Sequence, residues 1–132
     1  MGKLSTHVLD TTVGKPAANI EISLYKKIDA VFTLVKTVKT NSDGRCDSAL
    51  LENENLLKGA YELVFNVADY FATRNIESKF LQDVVIRFHI DDETQNYHVP
   101  LLITPYSYST YRGSWFHWKH RFLLNIKENI KN

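Results

Sequence analysis

At 132 residues the chain is long enough for one domain with a single hydrophobic core and too short for two of ordinary size. Charged residues make up 23% and the net charge is +1, so nothing in the overall balance argues for nucleic acid as a partner. A lone cysteine, Cys46, excludes an internal disulfide framework and a cysteine-only metal cluster. With no apolar stretch of signal-peptide or membrane-span length, the expectation is a cytoplasmic protein.

Leu4–Asp10 alternates and predicts a strand, followed by a turn cluster from Thr11 to Pro16. His7 lies in that strand on the face opposite Thr6 and Val8. Asn19–Lys26 places Ile20, Ile22 and Leu24 on one side, the pattern of a half-buried antiparallel strand. Val31–Thr40 is β-branched and alternating, and Asn41-Ser42-Asp43-Gly44 closes it with turn residues. Leu50–Gly59 reads as an irregular connection and Ala60–Val67 as a further strand. Ala68–Ser78 carries helix formers and no proline, predicting one short helix with Asp69 near its start. Phe80–Ile90 alternates again, and the polar run Asp91–Gln95 turns into the last strands. Seven or eight short strands with one helix predict an all-β sandwich.

The stretch Tyr97–Ser114, YHVPLLITPYSYSTYRGS, reads as two strands around a turn at Thr104-Pro105. Tyr97, Val99, Leu101 and Ile103 share one face of the first strand, and His98, Pro100 and Leu102 share the other. Pro100 within a strand predicts an edge or a bulge, with the missing N–H turned away from the ladder. The second strand, Tyr106–Arg112, is rich in serine, threonine and tyrosine, which suits a strand that meets another subunit.

The run Tyr97-His98-Val99-Pro100, then Pro105–Ser109, then Tyr111-Arg112-Gly113-Ser114, resembles the C-terminal signature of the transthyretin-like proteins. More narrowly, it resembles their enzyme branch, the 5-hydroxyisourate hydrolases of urate degradation. The DGRCD run around Arg45 and the VADYF segment resemble the same family. Hormone-carrying transthyretins have lysine where this chain has His7, an acidic residue at Arg45 and threonine at His98, and they lack the YRGS ending.

The resemblance implies a transthyretin-like (prealbumin) β-sandwich over residues 1–114. It implies a homotetramer built as a dimer of dimers, with active sites in a channel between the dimers. The implied reaction is opening of the 5-hydroxyisourate ring by water, giving 2-oxo-4-hydroxy-4-carboxy-5-ureidoimidazoline without a cofactor. His7, Arg45 and His98 are the implied catalytic residues, and Tyr111, Arg112, Gly113 and Ser114 the implied substrate-binding ones. The chemistry is coherent: a neutral histidine accepts a proton from water, and an arginine stabilises a developing oxyanion. A zinc site would need a third ligand, and the chain has no HxH or HExxH spacing; His89, His117 and His120 have no ligand cluster beside them in sequence, so no metal is expected. Ser114 has no GxSxG elbow and reads as a residue that positions water or substrate. The alternative is a non-enzymatic small-ligand carrier on the same fold.

Residues 115–132 fall outside the resemblance. Trp115, Trp118, Phe122, Ile126 and Ile130 recur at spacings of three or four, predicting an amphipathic C-terminal helix. Lys119, Arg121, Lys127 and Lys131 against Glu128 make this extension basic. The expectation is that its apolar face packs on protein; contact with a membrane surface and a frayed extension are the less favoured readings.

Overall fold

The computed structural model describes residues 2–113, so Ser114 and the helix expected over Trp115–Ile130 lie outside the described residues. Period-two alternation sorts the strands into two sheets that share one core. The first sheet contains β1 (Lys3–Asp10), β2 (Lys15–Pro16), β5 (Leu51–Glu52), β8 (Tyr97–Ile103) and β9 (Tyr108–Thr110). Its order is β2-β1-β8-β9, with β5 also pairing with β1. The second runs β4 (Val31–Lys39), β3 (Glu21–Ile28), β6 (Gly59–Phe65) and β7 (Val84–Ile90). Leu4, Val8, Val99 and Leu101 from the first sheet meet Ile22, Leu24, Leu63 and Phe65 from the second in one core. Fully burying side chains of this kind stabilises by roughly 1.5–3 kcal/mol each. The all-β sandwich is as expected, with β1 and β8 forming its parallel pair.

Several boundaries differ from the expected ones, each for a local reason. The helix α1 spans only Val67–Ala72, not Ala68–Ser78. Asn75 takes φ 60°, its N–H bonds to Ala72 O, and the Ile76 N–H reaches back to Phe71 O at 3.0 Å. That paired closure stops the helix, and Ile76 then packs on the core. The strand expected from Phe80 begins only at Val84, because β6 ends at the Phe65–Val84 pair. Upstream of it the backbone bonds elsewhere: Leu81 N–H to Pro105 O, and Gln82 O from the N–H of Ala68. Two short strands, β2 and β5, occupy stretches read as turn and irregular connection, and β5 runs into a 3-10 turn at Asn53–Asn55. The strand expected over Tyr106–Arg112 shrinks to Tyr108–Thr110, since the Thr104 hydroxyl accepts the N–H groups of Tyr106 and Ser107 and holds them in the turn.

Pro100 sits on an interior strand, not at an edge. His98 N–H bonds to Gly113 O on the β9 side, and alternation directs the Pro100 nitrogen to that side too. There the ladder is interrupted between the Leu101–Thr110 pair and the His98–Gly113 bridge. The missing donor therefore costs no ladder bond, while the Pro100 carbonyl accepts the Thr110 hydroxyl at 2.7 Å.

The β3–β4 hairpin turns through Asp29 (φ 50°) and Ala30 (φ 69°), a pair of left-handed residues of the kind that asparagine–glycine usually supplies. A left-handed alanine costs roughly 1–2 kcal/mol, partly offset by the greater freedom of glycine in the unfolded chain. Ala30→Gly is therefore expected to stabilise the protein by about 1 kcal/mol, read as a rise in Tm of a few degrees. An unchanged or lowered Tm would contradict the strain.

Candidate active site

The site forms on the outer face of the first sheet because two strands distant in sequence lie parallel and in register. Ser5 stands opposite His98, and His7 opposite Pro100. Leu4, Thr6 and Val8 point into the core, so Ser5 and His7 share the other face with His98. His98 is 0% exposed and His7 8% exposed, a degree of burial that surface histidines do not have. On its other side His98 is bridged to Gly113, each N–H bonding to the other's carbonyl at 2.7 Å.

Arg45 comes to this face through the turn after β4. The Asn41 side-chain oxygen accepts the N–H groups of Asp43 at 2.9 Å and Arg45 at 3.2 Å. The Asn41 N–H bonds to Arg45 O at 2.7 Å and the Gly44 N–H to Asn41 O at 3.0 Å, closing the loop on itself. Gly44 has φ +74° and its carbonyl accepts the Val8 N–H at 2.8 Å, which docks the turn onto β1. The result is a backbone bridge between His7 and Arg45. The same turn presents the Asp43 carbonyl to His7, whose Nε2–H donates to it at 2.9 Å. A carbonyl can only accept, so in neutral His7 the lone pair lies on Nδ1.

Burial and charge set the protonation states. The His7 imidazole is held below its ordinary 6.5, first by burial and then by the Arg45 charge, against an opposing pull from Asp43. His98 is lowered further, to about 4, by burial and then by His7 and Arg45. Burial also lowers Arg45, which Asp43 partly offsets, yet a guanidinium remains a cation at neutral pH. The face thus combines two neutral imidazoles with one cation, and it can accept a proton beside a fixed positive charge. Beside it a cavity of about 230 Å³ is lined by Lys3, Ser5, Arg45, Asp47, Ser48 and Ala49, among others. The Cys46 thiol is pushed up to about 11 by burial and stays protonated.

Of the residues singled out in the sequence, His7, Arg45, His98 and Gly113 come together. Arg112 does not turn to the histidines. Its guanidinium donates to Gln95 Oε1 at 2.8 Å and to Asn96 O, and lies over the Tyr97 ring at 4.7 Å. Tyr111 is exposed, its hydroxyl pKa raised by partial burial. Ser114 lies outside the described residues. His89 is on β7, in the other sheet, paired with Ala60. Among the described residues no group of three or more His, Cys, Asp or Glu side chains could hold a metal ion. Two contributors went unread in the sequence: the Asp43 carbonyl, which no side-chain pattern reveals, and Ser5, whose hydroxyl lies 2.8 Å from His98 Nδ1. Ser5 was marked only by its parity with His7, two residues along the same strand.

Known proteins share both the sequence and the architecture. A 5-hydroxyisourate hydrolase of Mesorhizobium japonicum is 54% identical over 116 residues, covering 86% of this chain and 93% of that protein. The structure of Klebsiella pneumoniae 5-hydroxyisourate hydrolase is similar with a TM-score of 0.74 and 34% identity, covering 86% of this chain and 100% of that one. Sea bream transthyretin in complex with thyroxine gives a TM-score of 0.79 at 23% identity, covering 85% of this chain and 95% of that one, a likeness of fold alone. The family model described as HIUase/Transthyretin family matches residues 4–113, from the first core residue of β1 to the glycine bridged to His98, and the chain belongs to that family.

Proposed function

We propose that this protein hydrolyses 5-hydroxyisourate to 2-oxo-4-hydroxy-4-carboxy-5-ureidoimidazoline in urate degradation, with His7, Arg45 and His98 as its catalytic residues. The observation that carries the reading is the gathering of these three on one face of the first sheet, in a chain 54% identical to a protein of that activity. Water attacks a ring carbonyl while His7 Nδ1 takes its proton, and the new oxyanion is stabilised by the Arg45 guanidinium. Collapse breaks the carbon–nitrogen bond, and His7 returns the proton to the departing nitrogen. No cofactor takes part. Tyr111, Arg112, Gly113 and Ser114 are the substrate-binding residues of this reading, with Arg112 acting through Gln95 and Asn96, which it grips. The hydrolase unit ends at residue 114, and residues 115–132 are an extension to it. A single half-buried thiol suits the reducing cytoplasm. The direct test is the 13C spectrum of freshly generated 5-hydroxyisourate, in which ring-opened product signals should accumulate faster with the protein present than without.

The pH dependence follows from the sign of the histidine shifts. Both folded-state values lie below 6.5, so the proton-accepting forms persist into more acidic solution than for a free imidazole. We expect kcat/KM to be level through neutrality, with an acid limb centred below 6.5 and a second loss as His98 protonates near 4. A limb centred at or above 6.5 would contradict the site's electrostatics.

The assembly follows from the edge of the first sheet. β9 is only three residues long and fully exposed, and Tyr106 (69%), Tyr108 (47%) and Tyr111 (47%) stand out from it and its flanks. Such an edge is a liability unless it is covered, and a partner copy would cover it. We expect a tetramer of D2 symmetry by sedimentation. A stable monomer at micromolar concentration would rule out a site shared between subunits.

A further inference from the structure

We propose that Ser5 is a positioning residue of this reaction, its hydroxyl fixing the His98 ring in one orientation. This rests on the hydrolase reading of the face.

Strand register places the pair. β1 and β8 are parallel with Ser5 directly opposite His98, and parity sends both side chains to the outer face together with His7. No other residue of β1 lies directly across from His98, and Ser5 Oγ lies 2.8 Å from His98 Nδ1. The imidazole backbone is clamped from the other direction by the reciprocal bonds to Gly113. Main chain and ring are therefore held separately, the first by the sheet and the second by a hydroxyl.

A clamp on the ring matters because His98 is neutral at the pH of the reaction. A serine hydroxyl both donates and accepts, so it holds Nδ1 in either neutral tautomer and keeps Nε2 at a fixed place on the far side of the ring. A hydroxyl at Nδ1 also limits rotation about the ring's outer bond. Rotation would bring a carbon to the hydroxyl and leave a buried polar atom to find a new partner. Ser5 suits the task by size, since its Oγ reaches the ring while leaving the adjoining cavity open; it lines that cavity with Arg45.

The test uses Ser5→Ala and Ser5→Thr in the full chain, with kcat, KM, Tm and the 15N shifts of the His98 ring measured for each. Ser5→Ala should lower kcat about tenfold, the scale of one neutral hydrogen bond, with KM and Tm close to the parent. Its His98 Nδ1 15N shift should move as the hydroxyl bond is lost, while the fold reported by Tm stays in place. Ser5→Thr, which restores a hydroxyl at the same branch, should recover most of the rate and the parent 15N pattern. A folded Ser5→Ala with parental kcat and unaltered His98 shifts would overturn the proposal, and so would a Ser5→Thr as impaired as the alanine variant. If the parent protein itself leaves 5-hydroxyisourate decay unchanged, the hydrolase reading fails; the 15N comparison then decides alone whether Ser5 holds the His98 ring.

Discussion

His7→Ala should lower kcat/KM for 5-hydroxyisourate by about 10²–10⁴-fold, the range over which a positioned general base contributes. The effect is expected on the rate and not on the fold. His7 occupies the outer face of β1, and the core behind it is made by Leu4 and Val8, which are untouched. Arg45→Ala removes the charge facing the oxyanion and should cost about 10²–10³-fold. It also removes one of the causes that depress both histidines, so any residual activity should have its acid limb shifted to higher pH. His98→Ala should lose activity on a similar scale. Circular dichroism and Tm close to the parent would establish that each variant folds. A folded His7→Ala of parental rate would remove that residue from the chemistry.

Gly44→Ala should damage stability and activity together. At φ +74° an alanine costs roughly 1–2 kcal/mol in backbone strain alone. A Cβ there would also collide with the Val8 carbonyl oxygen, a backbone atom that cannot swing aside, and would press on the Pro16 ring at 3.0 Å. The turn would have to lift from β1, carrying with it the Arg45 side chain and the Asp43 carbonyl that fixes the His7 tautomer. We expect a Tm lower by several degrees and a rate reduced more than tenfold. Gly14→Ala is the control: it has the same backbone sign, φ +67°, but open space where the Cβ would lie. That variant should show only the strain and keep its activity, so equal losses in both would contradict the docking account.

Strand alternation made the faces legible before the structure did. Thr6 and Val8 against His7, and Tyr97, Val99, Leu101 and Ile103 against His98, are arranged as read. That His7 and His98 become neighbours was not legible from periodicity, because it depends on a parallel register between strands at opposite ends of the domain. Family resemblance supplied that grouping. Arg45 is a surface arginine in any local reading, and only the turn geometry, with Gly44 in the left-handed region, brings it to His7. Errors cluster where one bond decides: Asn75 stops the helix, and Pro105 O draws Leu81 out of the strand. β2 and β5, two residues each, are shorter than any period can mark.

The central claim is that this outer face is a hydrolytic site for 5-hydroxyisourate. It is tested most directly by letting urate oxidase generate the compound and following its decay with and without the protein. The account predicts that a catalytic amount of protein accelerates the decay over many turnovers, in the presence of a chelator and without added cofactor. Decay at the spontaneous rate, or loss of substrate only in proportion to the protein added, would contradict it and leave a fold that binds without turning over.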